Sequence, residues 1–284
     1  VTDAVWVDVD GDHRDDLVVV GEWMPITVFH NTGTRLERVA TRGLEHSSGW
    51  WNRIIAADFT GDGRGDFVIG NAGLNSRLQT SAAEPLRMYV KDFDGNGFPE
   101  QILARVDGSV AHPLALRDEL TAALPGLKVR YPKYVDYARQ TVQDIFGDAL
   151  SGALVKQVDT FASVLAKNNG DGSFTLLPLP REAQLAPVYG LLARDFDHDG
   201  RLDLLLAGNL AGVQPAFGAM TASYGLLLRG DGPGGEGGTG FTPVRSSESG
   251  FGVPGHARDI QRLRTRRGDL YIVARNNDRP LFFR

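Results

Sequence analysis

The chain of 284 residues contains no cysteine, which excludes disulfides, thiolate metal sites, c-type haem attachment and a thiol nucleophile. Secretion stays open, because many exported bacterial proteins carry no cystine. No run of eighteen apolar residues exists, so no segment reads as a membrane-spanning helix. No secretory leader is visible and the first residue is Val1 rather than Met. The chain therefore reads as a mature form or a fragment whose upstream part is missing. Catalytic signatures are missing as well. There is no Gly-x-Ser-x-Gly elbow, no His-Glu-x-x-His, no phosphate-binding Gly-x-x-x-x-Gly-Lys, and only six scattered histidines. A basic excess is also lacking. The formal net charge is −5, which gives no electrostatic footprint for nucleic acid.

The acidic residues that produce this charge are not evenly spread. Asp195-Phe-Asp197-His-Asp199-Gly-Arg201-Leu-Asp203 places carboxylates at positions 1, 3, 5 and 9 of a nine-residue loop, with Gly200 at the tight sixth position. Hard cations such as calcium take six to eight oxygens, and carboxylates at alternate positions of a tight loop aim at one point. Arg201, at position 7, is expected to add its main-chain carbonyl. Three further copies follow the same spacing. The first is Asp8, Asp10, Asp12, Arg14 and Asp16, with His13 at position 6, a residue that tolerates left-handed backbone better than most. The second is Asp58, Thr60, Asp62, Arg64 and Asp66, and the third is Asp92, Asp94, Asn96, Phe98 and Glu100. The second has lost a carboxylate at Thr60, whose hydroxyl or a water must substitute, so the second and third are expected to be weaker.

An EF-hand needs a bidentate Glu at position 12 and a helix on each side. Position 12 is Val19, Ile69, Leu103 and Leu206 in the four loops, so none can close in that way. The flanks, such as Ala-Val-Trp-Val before and Leu-Val-Val-Val after the first loop, are short apolar runs that read as strands. Magnesium fits less well than calcium, since it demands near-octahedral geometry and keeps several waters. Fifteen of the 35 acidic residues lie in the four loops, so four divalent ions would reverse the sign of the molecule.

A strand, an Asp-x-Asp-x-Asp-Gly-x-x-Asp loop, a strand ending in Gly-Asn (Gly70-Asn71, Gly208-Asn209) and a later Asn-x-Gly-Asp-Gly-x-Phe segment (Asn168 to Phe174) resemble the FG-GAP or VCBS repeat. The stretches Gly49-Trp50-Trp51-Asn52, Gly70 to Asn75 and Leu179 to Pro187 are similar to those of bacterial VCBS proteins grouped with the UnbV and cartilage-acidic-protein relatives. The resemblance implies an all-β fold, a calcium-bearing β-propeller, and a calcium-rich compartment outside the cytoplasm. About five blade-like units can be counted, against the seven usual in such a family, which suggests part of a seven-bladed or larger propeller.

Along residues 1–284, units are expected at 3–45, at 49–110 with the third loop joining its last two strands, at about 161–177, at 186–248 and at 257–284. The last shows only three strands. Residues 113–157 change character: Tyr134, Tyr137, Ala138, Thr141, Val142, Ile145 and Phe146 recur at helical spacing. They read as a helical insertion that must bury its stripe, with the propeller face the nearest surface. The glycine-rich stretch Gly230–Gly240 reads as a flexible hairpin tip.

Several other features invite a functional reading beside a structural one. Arg64-Gly65-Asp66 spells an adhesion tripeptide, but Asp66 is also position 9 of a loop. Trp23, Trp50 and Trp51 are candidates for stacking on sugars, against the commoner fate of large aromatics in cores. Arg258 to Arg267 reads as a solvated strand face before it reads as a polyanion patch. Together these features lead us to expect a Ca2+-binding, non-catalytic interaction module of an exported or surface bacterial protein, with a protein or glycan partner. A calcium-dependent, lyase-like polysaccharide enzyme and a structural subunit of a larger extracytoplasmic assembly are the alternatives.

Overall fold

The structure, a computed structural model, describes residues 1–213, 218–232 and 238–284. Strands account for 41% of it and helices for 12%, arranged as several antiparallel sheets, so the chain is mostly β. It divides into two compact units, one made of Val1–Leu78 with Phe161–Arg284, the other of Gln79–Thr160.

The first unit opens with β1 (Asp3–Val7), β2 (Asp16–Val20), β3 (Glu22–Met24), β4 (Thr27–Asn31) and β5 (Leu36–Val39). Strands β1-β2-β4-β5 form a four-stranded sheet, and β3 pairs with β6 (Gly49–Trp50) as a separate ribbon. β7 (Arg53–Ala57) and β8 (Asp66–Gly70) then begin a second sheet.

Before that sheet is complete the chain builds the second unit: β9 (Leu86–Lys91), β10 (Glu100–Asp107), β11 (Val110–Pro113), the short helices α1 (Arg117–Ala123), α2 (Leu127–Arg130), α3 (Tyr134–Tyr137) and α4 (Val142–Phe146), and β12 (Leu154–Val158). Its sheet order is β11-β10-β9-β12. Along β10, Ile102, Ala104 and Val106 are buried and alternate with exposed Gln101, Arg105 and Asp107, the period of a strand covered on one face. Leu120, Leu124, Tyr137, Val142, Ile145 and Phe146 supply the cover, packed with Ile102 and Ala104.

The chain returns to the first unit with β13 (Val164–Asn168) and β14 (Phe174–Pro178), giving the sheet β7-β8-β13-β14. A third sheet follows in simple order from β15 (Val188–Arg194), β16 (Asp203–Gly208), β17 (Leu226–Gly230) and β18 (Phe241–Val244). The short helix α5 (Ser246–Ser249) leads to β19 (Ala257–Thr265), β20 (Gly268–Arg275) and β21 (Leu281–Phe283), a three-stranded sheet as expected. Part of the glycine-rich Gly230–Gly240 stretch, 233–237, lies outside the described residues.

Two expectations are corrected. Residues 49–110 are not one sheet: Leu86–Lys91 and the strand after the third loop pair with each other and with β12 and β11, whereas β8 pairs with β7 and with Val164–Asn168, which in turn pairs with Phe174–Pro178. Strand character alone does not say which strands pair across a long separation in the chain. The stripe within 113–157 is helical in two short pieces, α3 and α4, with Ala138 and Thr141 outside them and Tyr134 exposed; Tyr137, Val142, Ile145 and Phe146 are buried on the sheet of their own unit.

The inner strands of the first unit read as continuous apolar runs because both of their faces are covered. In β8, Phe67 and Ile69 pack with Val18, Val20 and Ile54, while Val68 between them packs with Leu191, Leu204 and Leu206. In β16, Leu204 and Leu206 take that side, and Leu205 and Ala207 pack with Ile260 and Val273. Alternate residues of one strand thus belong to the cores on its two sides. The first strands of successive sheets lie side by side in the order β1, β7, β15, β19. Arg53, on β7, reaches Asp3 of β1 at 3.4 Å and Asp259 of β19 at 3.0 Å.

Candidate metal centre

Each acidic loop joins two neighbouring antiparallel strands: β1 to β2, β7 to β8, β9 to β10 and β15 to β16. Its backbone turns twice through the left-handed region. Position 6 does so as expected at His13, Gly63, Gly97 and Gly200, and position 4 does so too, at Gly11, Gly61, Gly95 and His198. Histidine visits that region more readily than most residues and glycine visits it at no steric cost, which explains the residue types at both positions.

The left-handed turns point loop N–H groups inward, and the position 1 carboxylate collects them. Asp8 accepts from Gly11 at 2.7 Å and His13 at 2.8 Å. Asp58 accepts from Gly61, Asp62 and Gly63, and Asp92 from Gly95, Asn96 and Gly97. Asp195 accepts from Asp199 at 3.1 Å and Gly200 at 3.0 Å. Burial alone would raise the Asp8 carboxyl, but the hydrogen bonds from His13, Gly11 and Asp12 outweigh it and hold the group below the ordinary carboxylate range. The Gly97 N–H, followed by those of Gly95 and Asn96, does the same for Asp92. Both groups are thereby kept ionised, the state a cation needs.

Three of the loops bring carboxylate oxygens to one point. Ligand atoms of Asp8, Asp10 and Asp12, of Asp92, Asp94 and Glu100, and of Asp195, Asp197 and Asp199 lie within 4.8 Å of one another in each set. No such group of three forms in the second loop among the described residues. There the Thr60 hydroxyl donates to Asp66 Oδ2 at 3.1 Å. All-oxygen donor sets of this kind suit calcium or a similar hard cation.

Position 9 has a different surrounding from the one its spacing suggests. Asp16, Asp66 and Asp203 are 1%, 0% and 2% exposed. One oxygen of each accepts from the backbone of position 2: Val9 at 3.1 Å, Phe59 at 3.1 Å and Phe196 at 2.8 Å. The other accepts at 2.8 Å from the residue that ends the third strand of the sheet: Asn31, Asn168 and Gly230. These carboxylates are staples between the loop and the far hairpin, whatever else they bind. Burial pushes the Asp66 and Asp203 carboxyls up. Asp66, enclosed in this way, cannot serve the Arg64-Gly65-Asp66 tripeptide as an adhesion carboxylate.

Position 7 likewise uses more than its carbonyl. The Nε of Arg14, Arg64 and Arg201 donates to the carbonyls of Asn31, Asn168 and Gly230, the same residues that position 9 holds by their N–H. Each guanidinium also pairs with the position 5 carboxylate, Asp12, Asp62 or Asp199. A second basic group stands one residue before the strand end. His30 Nδ1 is 3.1 Å from Asp10 and 3.2 Å from Asp16, and Lys167 and Arg229 act on the carboxylates of their own loops. The arginines, with Lys167 and Arg229, offset part of the carboxylate charge crowded into these turns, and a metal must compete with the guanidinium at position 5. Sequence reading missed His30, Lys167 and Arg229 because they lie on strands remote in the chain; the signal was a basic residue before each Asn-x-Gly or Gly-Asp turn.

Among the described residues, the third loop keeps only the bond from position 9 to the position 2 N–H. Phe98 is 76% exposed, and Glu100 accepts from Phe93 at 2.8 Å.

The Gly-Asn pairs lie at the other ends of the strands. Asn71 is fully buried, accepts from Trp50 at 3.0 Å and Ala72 at 2.8 Å, and donates to Ala162. Asn209, at φ 89°, bonds to Ser223 and Gly255. Both tie loops to the ends of β8 and β16.

Residues 8–69 match the family described as FG-GAP-like repeat. No curated protein matches the chain. The matched span runs from position 1 of the first loop to the strand after the second, so the first two loops and strands β2 to β8 carry an FG-GAP-like repeat.

Proposed function

We propose that the protein is a calcium-binding, non-catalytic β-propeller interaction module of an exported or surface bacterial protein, working outside the cytoplasm. The observation that carries this reading is the convergence of three carboxylates in loops that recur at the same place in successive sheets. The side-by-side order of β1, β7, β15 and β19, with Arg53 joining three of the sheets, supports reading those sheets as blades. Asp8, Asp10 and Asp12, Asp92, Asp94 and Glu100, and Asp195, Asp197 and Asp199 would hold the ions, with the position 9 aspartates beneath the loops of the first unit. A bound calcium ion supplies positive charge that cancels repulsion among these carboxylates. The chain's own residues fix the turn, keep position 1 ionised and anchor the loop to the sheet.

Only folded loops bring the oxygens together, so calcium should stabilise the fold by linkage. A thousandfold excess over the dissociation constant contributes about 4 kcal/mol for one site, and in a protein of this size about 2–4 °C accompanies each kcal/mol. Melting curves recorded with chelator and with added calcium should therefore differ by about 10 °C or more. Coincident midpoints would overturn the reading.

A further inference from the structure

The first unit contains a cavity of about 290 Å³ near strand ends remote from the acidic loops, with Trp23, Trp50, Tyr189, Glu22 and Asn52 among its walls. Its volume lies near the lower end of small-molecule sites, room for about one ring.

Trp23 reaches this wall at a conformational cost. In the ribbon of β3 and β6, Glu22 pairs with Trp50 and Met24 with Gly49 with a shift between them, so Trp23 is the extra residue of a β-bulge. Its φ is 59°, a left-handed value that is a genuine outlier for so bulky a side chain and that glycine would adopt without strain. Bulges re-aim side chains and gather beside active sites, and strain of this kind clusters at functional sites. The strained residue sets its ring 5.5 Å from that of Trp50 at 62°.

The polar groups around the rings restrict what could fill the space. Among the described residues, the Glu22 carboxylate and the Asn52 carboxamide make no side-chain hydrogen bond or ion pair, and the Tyr189 hydroxyl has no hydrogen-bond partner. The Trp50 indole N–H is buried without an acceptor. A guanidinium already lies over Tyr189: Arg258 is 4.5 Å from the ring centre and is held by the carbonyls of Asn209 and Ala257. With Glu22 it leaves the surroundings without net charge. An ammonium ligand would answer Glu22 but would meet Arg258. A carboxylate or phosphate would meet Glu22. Hydroxyl groups both donate and accept, and a sugar ring also has an apolar C–H face for an aromatic wall.

We propose that this cavity binds one neutral monosaccharide ring, free or at the end of a glycan. The proposal rests on reading the first unit as a binding module and names its partner's chemistry; it does not depend on the metal loops.

The test uses the full chain in calcium-containing buffer with glucose, galactose, mannose, fucose and N-acetylglucosamine as probes, and tetramethylammonium and acetate as charged controls. Saturation-transfer NMR and tryptophan fluorescence report binding. At least one of the sugars should bind, and Trp23→Gly and Glu22→Gln should each weaken it tenfold or more. Trp23→Gly should melt no lower than the parent, because it relieves the backbone, and calcium titration of both variants should match the parent. If Trp23→Gly does not fold, Glu22→Gln decides. Binding by none of the five sugars, binding unchanged in the variants, or binding of a charged control in preference to every sugar would overturn the proposal. Sugar binding in a protein that takes no calcium would leave the proposal standing and overturn the metal reading alone.

Discussion

The third and fourth loops share a nine-residue spacing and a converging set of carboxylates, yet they are held in different ways. In the fourth, Asp203 and Arg201 grip both backbone groups of Gly230, and the position 5 carboxylate has a guanidinium partner. In the third, Phe98 faces solvent and Glu100 holds the Phe93 N–H. The contrast separates two functions that one motif combines. Positions 1, 3 and 5 gather oxygens, whereas positions 7 and 9 in the first unit fasten the loop to its sheet. Loops of the first unit are therefore braced with or without an ion, and the third depends more on what it binds.

The largest effect should come from removing a staple. Asp66→Ala would leave the N–H groups of Phe59, Thr60 and Asn168 without their acceptor. A buried group left unsatisfied costs about 1–3 kcal/mol, so a total of about 3 kcal/mol or more is expected in chemical denaturation. Glu100→Ala, measured beside it in chelator, should cost about 1 kcal/mol or less for one hydrogen bond of a half-buried group. Equal costs would erase the distinction between the two kinds of loop.

Deletions sharpen the comparison between units. Replacing 79–160 by a short Gly/Ser linker should leave a folded β protein, because β8 and β13 are already neighbours. Replacing only 113–157 should instead give aggregation, since it strips the cover from Ile102 and Ala104 and removes part of β12. Circular dichroism and size exclusion would distinguish them; a soluble, cooperative protein from the shorter deletion would contradict the packing described above.

Within the loops, affinity should respond where stability does not. Asp197 is exposed and among the described residues its carboxylate accepts only the Asp199 N–H, at 3.2 Å, so Asp197→Ala should weaken calcium binding in calorimetry about tenfold while altering stability in chelator by less than about 0.5 kcal/mol. Thr60→Asp should tighten the second site, because it supplies the missing carboxylate. An unchanged isotherm for Asp197→Ala would remove the fourth loop from the metal sites.

The smallest effect concerns acid. The backbone N–H of Thr141, then its hydroxyl, hold the Asp144 carboxyl below its ordinary value of 3.8 at the start of α4. A carboxyl with a depressed folded-state value adds stability above its unfolded value and loses it as pH falls through the folded one. Asp144→Asn should therefore matter at neutral pH and lose its effect below about pH 3. An effect that persists in acid would show that geometry, not charge, caps this helix.

Much of this architecture was legible from residue order. The loops, their glycines, the flanking strands and the helical stripe all follow from local spacing. The EF-hand could be dismissed from Val19, Ile69, Leu103 and Leu206 alone. The pairing of β8 with β13 was not legible, because Val164 lies 94 positions beyond Gly70 and the intervening β9 and β10 also read as strands. Nor were the partners of Asp66, since Asn168 lies 102 positions away. That the position 9 aspartates also hold backbone groups of a remote strand was not legible, because spacing reports where a side chain sits along a turn, not what surrounds it.

Sequence by itself determined the local geometry of the protein: left-handed turns where glycine and histidine allow them, carboxylates at alternate positions, and strands apolar enough to be covered on both faces. These depend on backbone sterics and on periods of two or three to four residues, which any short window contains. Tertiary structure alone decided which strands share a sheet, that Asp16, Asp66 and Asp203 are buried staples, and that a bulge carries Trp23 to a cavity wall beside Trp50 and Tyr189. Each of those outcomes requires groups far apart in the chain to meet, and their energies come from burial and hydrogen bonding across that distance rather than from the neighbours of any one residue.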